Sequence, residues 1–458
     1  MNTHDTELKL TFASGAGTVT GANFLLEGNG KKFLVDCGLV QGETLAEDVN
    51  WEPFPYPANE IDIIFITHSH IDHIGRIPKI LAEGFKGRIV STVPTKEIAK
   101  FMLEDMMNIL KHDKTHNLEN IYTEENINTA MGMWDTLEYH QVMNVDHGFQ
   151  FSYKDSGHVL GSGMLEVVYN GKKIVFTGDL GNSPSPILRD TEVVNDADYM
   201  VMESVYGDRN HEDQKVRRER LAQVINDNYN RKGTLIIPMF SLERTQEILF
   251  EMDELIEEKK IPVMPVFLDS PLAIKLDGVF KHYEKYFNDT AKKVIASGDD
   301  IFSFEGFKLT QQTEESKALL HVPAPKIIMA GSGMSNGGRI IHHEINYLPD
   351  SNNTILLIGY QSVGTLGRLI QEGVKNLHIM GQEVAFHAHL EQIGGYSGHK
   401  DSDHLLEFVE PLQGKAKKIF VVMGEPKSAM FLAQKIKDNL NIETSTPSAG
   451  DSVMLDFS

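Results

Sequence analysis

Residues 61–81 read IDIIFITHSHIDHIGRIPKIL, and this stretch decides the fold. Its apolar first part, residues 61–66, predicts a buried β-strand, and the isoleucines at 74, 77 and 80 predict a helix after it. The run His68-Ser69-His70-Ile71-Asp72-His73 lies between the two. The sequence therefore places a histidine-rich turn at the carboxyl end of a strand, where α/β proteins gather ligand-binding residues.

The turn offers three imidazoles and one carboxylate within six positions. So short a segment cannot direct all four at one tetrahedral ion, but they can divide between two ions about 3.5–4 Å apart. Further donors follow other strand-like runs: Asp36 after residues 32–35, His158 in the run 155–158, and Asp179 after residues 173–176. The pattern predicts a dinuclear metal site, against the alternative that one or two of the histidines are solvated loop residues.

These donors, in this order, resemble those of the metallo-β-lactamase fold superfamily. The resemblance implies an α/β protein built as an αββα sandwich with two bound zinc ions. By position it implies one zinc on His68, His70 and His158, a second on Asp72 and His73, and Asp179 bridging the two. It also implies that Asp36 accepts hydrogen bonds beneath the histidine-rich turn and orients it without binding metal.

The ligands up to Asp179 use less than half of the 458 residues, and the remainder carries more patterns of strand, loop and helix. The relevant segments are ADYMVMESVYGDR (197–209), GTLIIPMFSLERTQEIL (233–249), IIMAGSGMSNGGR (327–339), GYQSVGTLGR (359–368) and GYSGHKD (395–401). They resemble the β-CASP nucleases, the group that contains RNase J and the endonuclease that cuts pre-mRNA before polyadenylation. The resemblance implies an inserted β-CASP α/β domain at residues 208–384, between two parts of the metallo-β-lactamase domain at 1–207 and 385–458.

The same resemblance implies a zinc-dependent ribonuclease with its active site in the cleft between the domains. A metal-activated hydroxide, held with the help of Asp72, would attack a phosphodiester of single-stranded RNA. His399, paired with Glu203, would stabilise or protonate the departing oxygen and leave a 5′-phosphate and a 3′-hydroxyl. Endonuclease action in RNA processing or decay is expected, with 5′-to-3′ exonuclease action left open.

One position departs from the family pattern. The segment KIFVVMGE (418–425) has Met423 where active relatives carry a histidine before Gly-Glu. A thioether is a poor zinc ligand beside nitrogen and carboxylate donors. We therefore expect the second zinc site to be weaker than the first, and hydrophobic packing is the simplest role for Met423 itself.

Substrate phosphates are expected to bind the inserted domain. Its glycine-rich turns can aim backbone N–H groups at a phosphate, although each alone is also typical of a structural turn. The residues predicted to contact phosphate or RNA are Gly331, Ser332, Gly333, Arg339, Thr365, Arg368 and Arg244.

Composition agrees with a globular protein and sets one constraint. Hydrophobic residues make up 41% of the chain and charged residues 24%, which excludes a disordered chain. The single cysteine, Cys37, and the lack of a membrane-length apolar run favour the cytoplasm. A formal net charge of −22 opposes general attraction to a polyanion, so RNA binding is expected to be modest and confined to the cleft. A homodimer is left open.

Two other functions compete with the ribonuclease. One is a lactamase-fold hydrolase of a small ester or thioester, against which the long inserted domain, Glu203 and His399 count. The other is a catalytically silent RNA-binding β-CASP homologue, for which Met423 is the feature in favour.

Overall fold

The structure is a computed structural model that describes residues 6–41, 48–110, 116 and 118–458. The strands of these residues are β1 Glu7–Ser14, β2 Asn23–Gly28, β3 Lys31–Val35, β4 Ile63–Phe65, β5 Arg88–Thr92, β6 Trp134–Leu137, β7 Met143–Val145, β8 Phe149–Asp155, β9 Gly163–Tyr169, β10 Lys172–Phe176, β11 Tyr199–Met202, β12 Thr234–Pro238, β13 Val266–Asp269, β14 Phe307–Leu309, β15 Lys326–Ala330, β16 Thr354–Ile358, β17 Asn376–Ile379, β18 Gln382–Ala385, β19 His389–Ile393, β20 Lys418–Val421, β21 Thr444–Ser445 and β22 Ser452–Asp456.

The α-helices of the same residues are α1 Ile71–Ile74, α2 Ile77–Ala82, α3 Val93–Leu110, α4 Glu124–Gly132, α5 Gln214–Arg231, α6 Arg244–Glu257, α7 Pro271–His282, α8 Asp289–Ala296, α9 Thr313–Ala318, α10 Ile340–Tyr347, α11 Leu366–Gln371, α12 Ser402–Val409 and α13 Pro426–Leu440. None of the helices in the described part of the chain combines the length and the apolar character that crossing a membrane requires.

Two sheets face each other in the first lobe. Their strand orders are β22-β1-β2-β3-β4-β5-β6 and β21-β20-β11-β10-β9-β8-β7. Alternate residues of a strand point to opposite faces of its sheet. Phe33 and Phe65 of the first sheet thereby meet Phe149 and Phe151 of the second in one shared core, where the Phe65 and Phe151 rings stack at 4.2 Å.

Helices cover the outer faces of both sheets. On the first sheet, Leu34 and Ile64 pack against apolar residues of α1 to α4. On the second, Val175 and Met200 pack against α12 and α13. The predicted αββα sandwich is confirmed.

The third sheet forms a second lobe. Its order is β14-β13-β15-β12-β16-β19, and its neighbouring strands are parallel. The adjacent residues Ile236 and Ile237 of β12 belong to different apolar clusters, so helices cover this sheet on both faces. The predicted inserted α/β domain is confirmed. Its bounds at residues 208 and 384 stay predictions, and β19 pairs with β16 beyond the second of them.

The first two sheets present the ends of parallel strands to one edge. β3 is parallel to β4, and β10, β11 and β20 are parallel neighbours. Asp36 follows β3, the histidine-rich turn follows β4, and Asp179, Glu203 and Met423 follow β10, β11 and β20. The topology therefore brings together groups that are up to almost 390 positions apart in the sequence.

Candidate metal centre

Asp36 lies beneath the histidine-rich turn and fixes its shape. Its two carboxylate oxygens accept hydrogen bonds from the backbone N–H and the hydroxyl of Thr67, each at 2.8 Å. One oxygen also lies 2.7 Å from Nδ1 of His73. Because this contact occupies Nδ1, the opposite nitrogen of His73 faces the site, as the orienting role predicted for Asp36 requires.

The first donor set consists of three imidazoles and one carboxylate. Donor atoms of His68, His70, His158 and Asp179 all lie within 4.8 Å of one another. Nδ1 of His70 is 3.0 Å from Nε2 of His68 and 3.3 Å from Nε2 of His158. Oδ2 of Asp179 is 3.5 Å from the Nε2 atoms of both His68 and His158. Three nitrogens and one oxygen suit a tetrahedral ion.

Burial keeps the three imidazoles of the first donor set neutral, so their nitrogens can donate lone pairs to a metal ion. It lowers the pKa of His68 and of His158 well below the ordinary value and that of His70 to about 3. Metal binding needs the neutral imidazole, so no proton competes with an ion here at neutral pH.

The second donor set consists of Asp72, His73 and Asp179, again within 4.8 Å of one another. Nε2 of His73 is 3.4 Å from Oδ1 of Asp179 and 3.8 Å from Oδ2 of Asp72. Nε2 of His73 and Oδ1 of Asp179 are both buried without a hydrogen-bond partner among the described residues. Buried polar atoms are rarely left unpaired, since each costs about 1–3 kcal/mol, so this pair fits a bound cation.

Met423 lies beside the second set. It lines a cavity of about 10 Å³ together with His73, Asp36 and Glu203. Its backbone N–H donates to the carbonyl of Gly15 at 2.8 Å, and its buried side chain joins the core between the two sheets. The thioether therefore packs as a hydrophobic group next to the second donor set.

His399 and Glu203 form an ion pair beside the two donor sets. Nδ1 of His399 is 3.1 Å from both oxygens of Glu203 and 3.9 Å from Oδ2 of Asp179. Glu203 also accepts the backbone N–H of Leu180 at 2.6 Å, which fixes its carboxylate. Burial lowers the pKa of His399, but the charge and hydrogen bond of Glu203, together with the charges of Asp179 and Asp72, outweigh burial and raise the pKa to about 9. The imidazole is thus positively charged at neutral pH.

The loop that carries His399 also holds a donor of the first set. Nδ1 of His158 donates to the carbonyl of Gly398 at 2.9 Å, which leaves Nε2 of His158 free to face an ion. His211 donates from Nε2 to the carbonyl of His399 at 2.9 Å, and its ring lies 4.3 Å from that of Tyr206. Sequence reasoning missed His211 and Tyr206, because an isolated histidine or tyrosine in a loop gives no signal of its partner.

Three family models match consecutive parts of the chain. Residues 16–224 match the metallo-beta-lactamase superfamily, residues 245–370 the Beta-Casp domain, and residues 383–447 the Zn-dependent metallo-hydrolase RNA specificity domain. Ribonuclease TTHA0252 of Thermus thermophilus is 32% identical over 92% of this chain and 94% of its own length. The chain belongs to the β-CASP family of metallo-β-lactamase-fold proteins.

Other relatives agree with the family. Transcription termination factor FttA of Methanosarcina mazei is 28% identical over 96% of this chain and 70% of its own length. Endoribonuclease YSH1 of Candida glabrata is 28% identical over 93% of this chain, which spans 56% of that relative. A solved structure of a protein of unknown function from Enterococcus faecalis shares the fold, with a TM-score of 0.55, 13% identity, and coverage of 98% of this chain and 100% of the other. The family fold and the His/Asp cluster together indicate a divalent metal site.

The three arginines predicted to contact phosphate belong to the second lobe, the one built on the third sheet and called the β-CASP lobe below. Their surroundings differ. Arg244 is buried, pairs with Glu247, and donates to the carbonyl of Tyr396 at 3.2 Å. A Cβ added at Gly398 would lie 2.9 Å from Nη2 of Arg244 and 3.0 Å from Cε1 of His158, so Arg244 reaches the metal centre. The structure thus brings this predicted phosphate contact to the site.

Arg339 and Arg368 are more peripheral. Arg339 donates to the buried carboxylate of Asp269 at 2.6 Å and to the carbonyls of Thr310 and Gln311. Arg368 pairs with Glu372 at 2.7 Å and is partly exposed. Arg339 therefore uses its guanidinium within the β-CASP lobe, whereas Arg368 keeps one side toward solvent.

The glycine-rich turn between β15 and α10 is tightly built. The backbone N–H of Ser332 donates to the carbonyl of Gly337 at 3.2 Å, and its hydroxyl accepts from Asn336 at 3.0 Å. A Cβ at Gly333 would lie 2.4 Å from the ring of Phe240, so that position requires glycine. Within the described ranges, the backbone N–H of Gly333 has no hydrogen-bond partner.

Of the remaining predicted contacts, Gly331 accepts the backbone N–H of Ile340 with its carbonyl at 3.1 Å. The hydroxyl of Thr365 caps α11 by accepting the backbone N–H of Arg368 at 3.2 Å. Both residues therefore have structural partners in the β-CASP lobe.

Proposed function

We propose that this protein is an RNA-processing nuclease that hydrolyses phosphodiester bonds with the help of two zinc ions. The observation that carries the proposal is that two largely buried donor sets share Asp179, beside the charged pair of His399 and Glu203. The relatives named ribonuclease and endoribonuclease support RNA as the substrate class. The three imidazoles of the first donor set favour zinc over magnesium or calcium, which prefer oxygen ligands, and His73 adds one imidazole to the second set.

His68, His70 and His158 would hold the first zinc, Asp72 and His73 the second, and Asp179 both. Ions bound there supply a water of lowered pKa as the nucleophile and offset the negative charge of the phosphate. With Met423 in place of a donor, the second set offers one protein ligand fewer than a full set, and an ion there would be held less tightly.

The chain's own residues complete the reaction. His399 uses Nδ1 to face Glu203, and Nε2 has no hydrogen-bond partner in the described part of the chain. Its Nε2–H is therefore the proton donor for the departing oxygen, which leaves poorly unless its charge is met. Arg244 offers a cation for a non-bridging phosphate oxygen, and the backbone N–H of Gly333 in the glycine-rich turn, unpaired among the residues that the structure describes, offers a hydrogen-bond donor to a second phosphate of the RNA strand.

Labelled nucleic acids test this function. Purified protein with added zinc is incubated with internally labelled RNA, 5′-labelled RNA and single-stranded DNA, and its metal content is measured in parallel. Internal fragments indicate endonuclease action, and stepwise loss of the 5′ label indicates exonuclease action. His399→Ala should lower the rate by about 10²- to 10⁴-fold without loss of metal, and His70→Ala should lose both metal and activity.

His378→Ala is the matched control, since His378 is an exposed histidine of β17. Equal cleavage by all four proteins, or a wild type that cuts no RNA in zinc, would refute the ribonuclease. Turnover of a small ester or RNA binding without cleavage would support one of the two competing functions. A homodimer and a cytoplasmic location stay predictions, which light scattering and cell fractionation can check.

A further inference from the structure

Aromatic side chains lead from the metal centre toward the surface. The Tyr206 ring lies 6.3 Å from the His399 ring, and the Tyr360 ring lies 6.2 Å from Tyr206, measured between ring centres. Tyr206 is buried, whereas Tyr360 is half-buried. Tyr360 is therefore the ring of this series that a substrate can reach.

Two arginines accompany these rings. The Arg209 guanidinium lies 5.2 Å from the centre of the Tyr206 ring, and its side chain is 47% exposed. Burial and the bond to Glu425 raise the pKa of the Tyr360 hydroxyl, and Arg209 and Arg368 are both close enough to oppose that rise. Aromatic faces flanked by cations are the means by which proteins hold single-stranded nucleic acid with little regard to sequence.

The Tyr360 ring is held in place from the opposite lobe. Tyr360 follows β16 of the β-CASP lobe, and its hydroxyl donates to Oε1 of Glu425 at 2.5 Å. Glu425 immediately precedes α13 of the metallo-β-lactamase domain. A ring fixed by its hydroxyl loses little conformational freedom when a base stacks on it, which favours binding.

We propose that Tyr360 stacks against one base of the RNA strand on the His399 side of the scissile phosphate. Arg209 and Arg368 contact phosphates next to that nucleotide. The base would be held through its π-face, so the subsite accepts all four bases. The inference rests on the proposed ribonuclease function and deepens it by naming where the leaving part of the strand is held.

Abasic substitution tests the subsite. A short single-stranded RNA with one mapped cleavage site is compared with a series in which one nucleotide at a time, on either side of that bond, lacks its base. In the wild type, one position should lower kcat/KM by about 5- to 150-fold, the range expected for one stacked base. Tyr360→Leu should lower kcat/KM on intact RNA by a similar factor, and the abasic change at that position should then have no further effect.

Two variants separate stacking from a structural role. Tyr360→Phe keeps the ring and removes the bond that fixes it to Glu425, so it should lose clearly less activity on intact RNA than Tyr360→Leu. Tyr229→Leu, at a tyrosine 38% exposed on α5, is the control for a surface change. The proposal is overturned if Tyr360→Phe loses as much activity as Tyr360→Leu, or if Tyr360→Leu keeps the full abasic penalty.

Binding of the same RNAs to His70→Ala, followed by fluorescence anisotropy, repeats the comparison without turnover. If the wild type fails to cut RNA but the abasic change still weakens binding at one position, only the catalytic function is refuted. If the wild type cuts RNA but no abasic position weakens binding more than the others, only the Tyr360 subsite is refuted.

Discussion

Replacing Glu243 by glycine should stabilise the protein. Glu243 lies in a tight turn with φ of 66° and ψ of −55°, where the N–H of Arg244 donates to the carbonyl of Leu242 at 2.8 Å. This γ-turn conformation is strained for a residue with a side chain. The Glu243 carboxyl is also buried, near the backbone of Leu160, and neither oxygen has a hydrogen bond among the described residues.

Two effects of Glu243→Gly should raise the free energy of unfolding, and two should lower it. Relief of the backbone strain contributes about 1–3 kcal/mol, and removal of an unpaired buried carboxyl contributes about 1–3 kcal/mol. Glycine costs about 0.5–1 kcal/mol in chain entropy, and the lost side-chain packing costs about 1–2 kcal/mol. The free energy of unfolding should therefore rise by about 1–2 kcal/mol.

Urea denaturation followed by circular dichroism measures the change. Glu243→Ala is the matched variant, because it removes the carboxyl but keeps the strain and avoids the entropy cost of glycine, so it should be less stable than Glu243→Gly by about 0.5–2 kcal/mol. Lys232→Gly, at an exposed position with φ of 57°, measures relief of positive φ alone. A glycine variant less stable than the wild type, or no more stable than Glu243→Ala, would refute the reasoning.

The pH dependence gives a separate check. Burial and the nearby Glu247 raise the pKa of Glu243 well above its ordinary value of 4.5. Below that ordinary pKa the folded and unfolded states are both protonated, so the carboxyl carries no ionisation penalty. As pH rises above it, only the unfolded state ionises freely, and the wild type loses stability until the raised pKa is reached. The advantage of Glu243→Gly should therefore be larger at pH 8 than at pH 4.

Three further changes test other parts of the structure. Met423→His adds a donor beside His73 and should increase the zinc bound per chain, measured by elemental analysis, and an unchanged content would count against the account of the weaker site. Asp36→Asn should lower metal affinity by about 10- to 100-fold in a chelator competition, because the turn loses its orienting carboxylate, while Asp135→Asn on the surface should not. Arg339→Met removes the guanidinium from the buried Asp269, which keeps His343 and the Ser316 hydroxyl as partners, and should cost about 1–3 kcal/mol of stability in urea, so an unchanged midpoint would contradict a structural role for Arg339.

The metal donors could be predicted from the sequence because each follows a strand-like run. The turn after β4 places His68, His70, Asp72 and His73 within six positions, and Asp179 lies in the short turn that follows β10. Strand ends leave little freedom for where such residues lie. The order of the donors along the chain then identified the family, which in turn implied Glu203 and His399.

Contacts made across long distances in sequence could not be predicted. Asp269 and Arg339 are 70 positions apart and meet only because β13 and β15 are neighbours in the third sheet. Tyr360 meets Glu425 across the two lobes, and His211 reaches the carbonyl of His399 from 188 positions away. These pairs depend on how the lobes pack, and side-chain patterns along one segment carry no information about that packing.

The bond between His158 and Gly398 has a consequence for how the enzyme would tolerate motion. The same short loop carries His399, the proposed proton donor, and steadies the imidazole of His158, a proposed metal ligand. When thermal motion displaces this loop, the His158 ring and the His399 ring move together. In the proposed reaction, the distance between the attacking and the departing oxygen would then change less than the position of either ring. Reaction geometry of this kind is sensitive to displacements of about 1 Å. A common support for both groups thus protects alignment without requiring the whole molecule to be rigid.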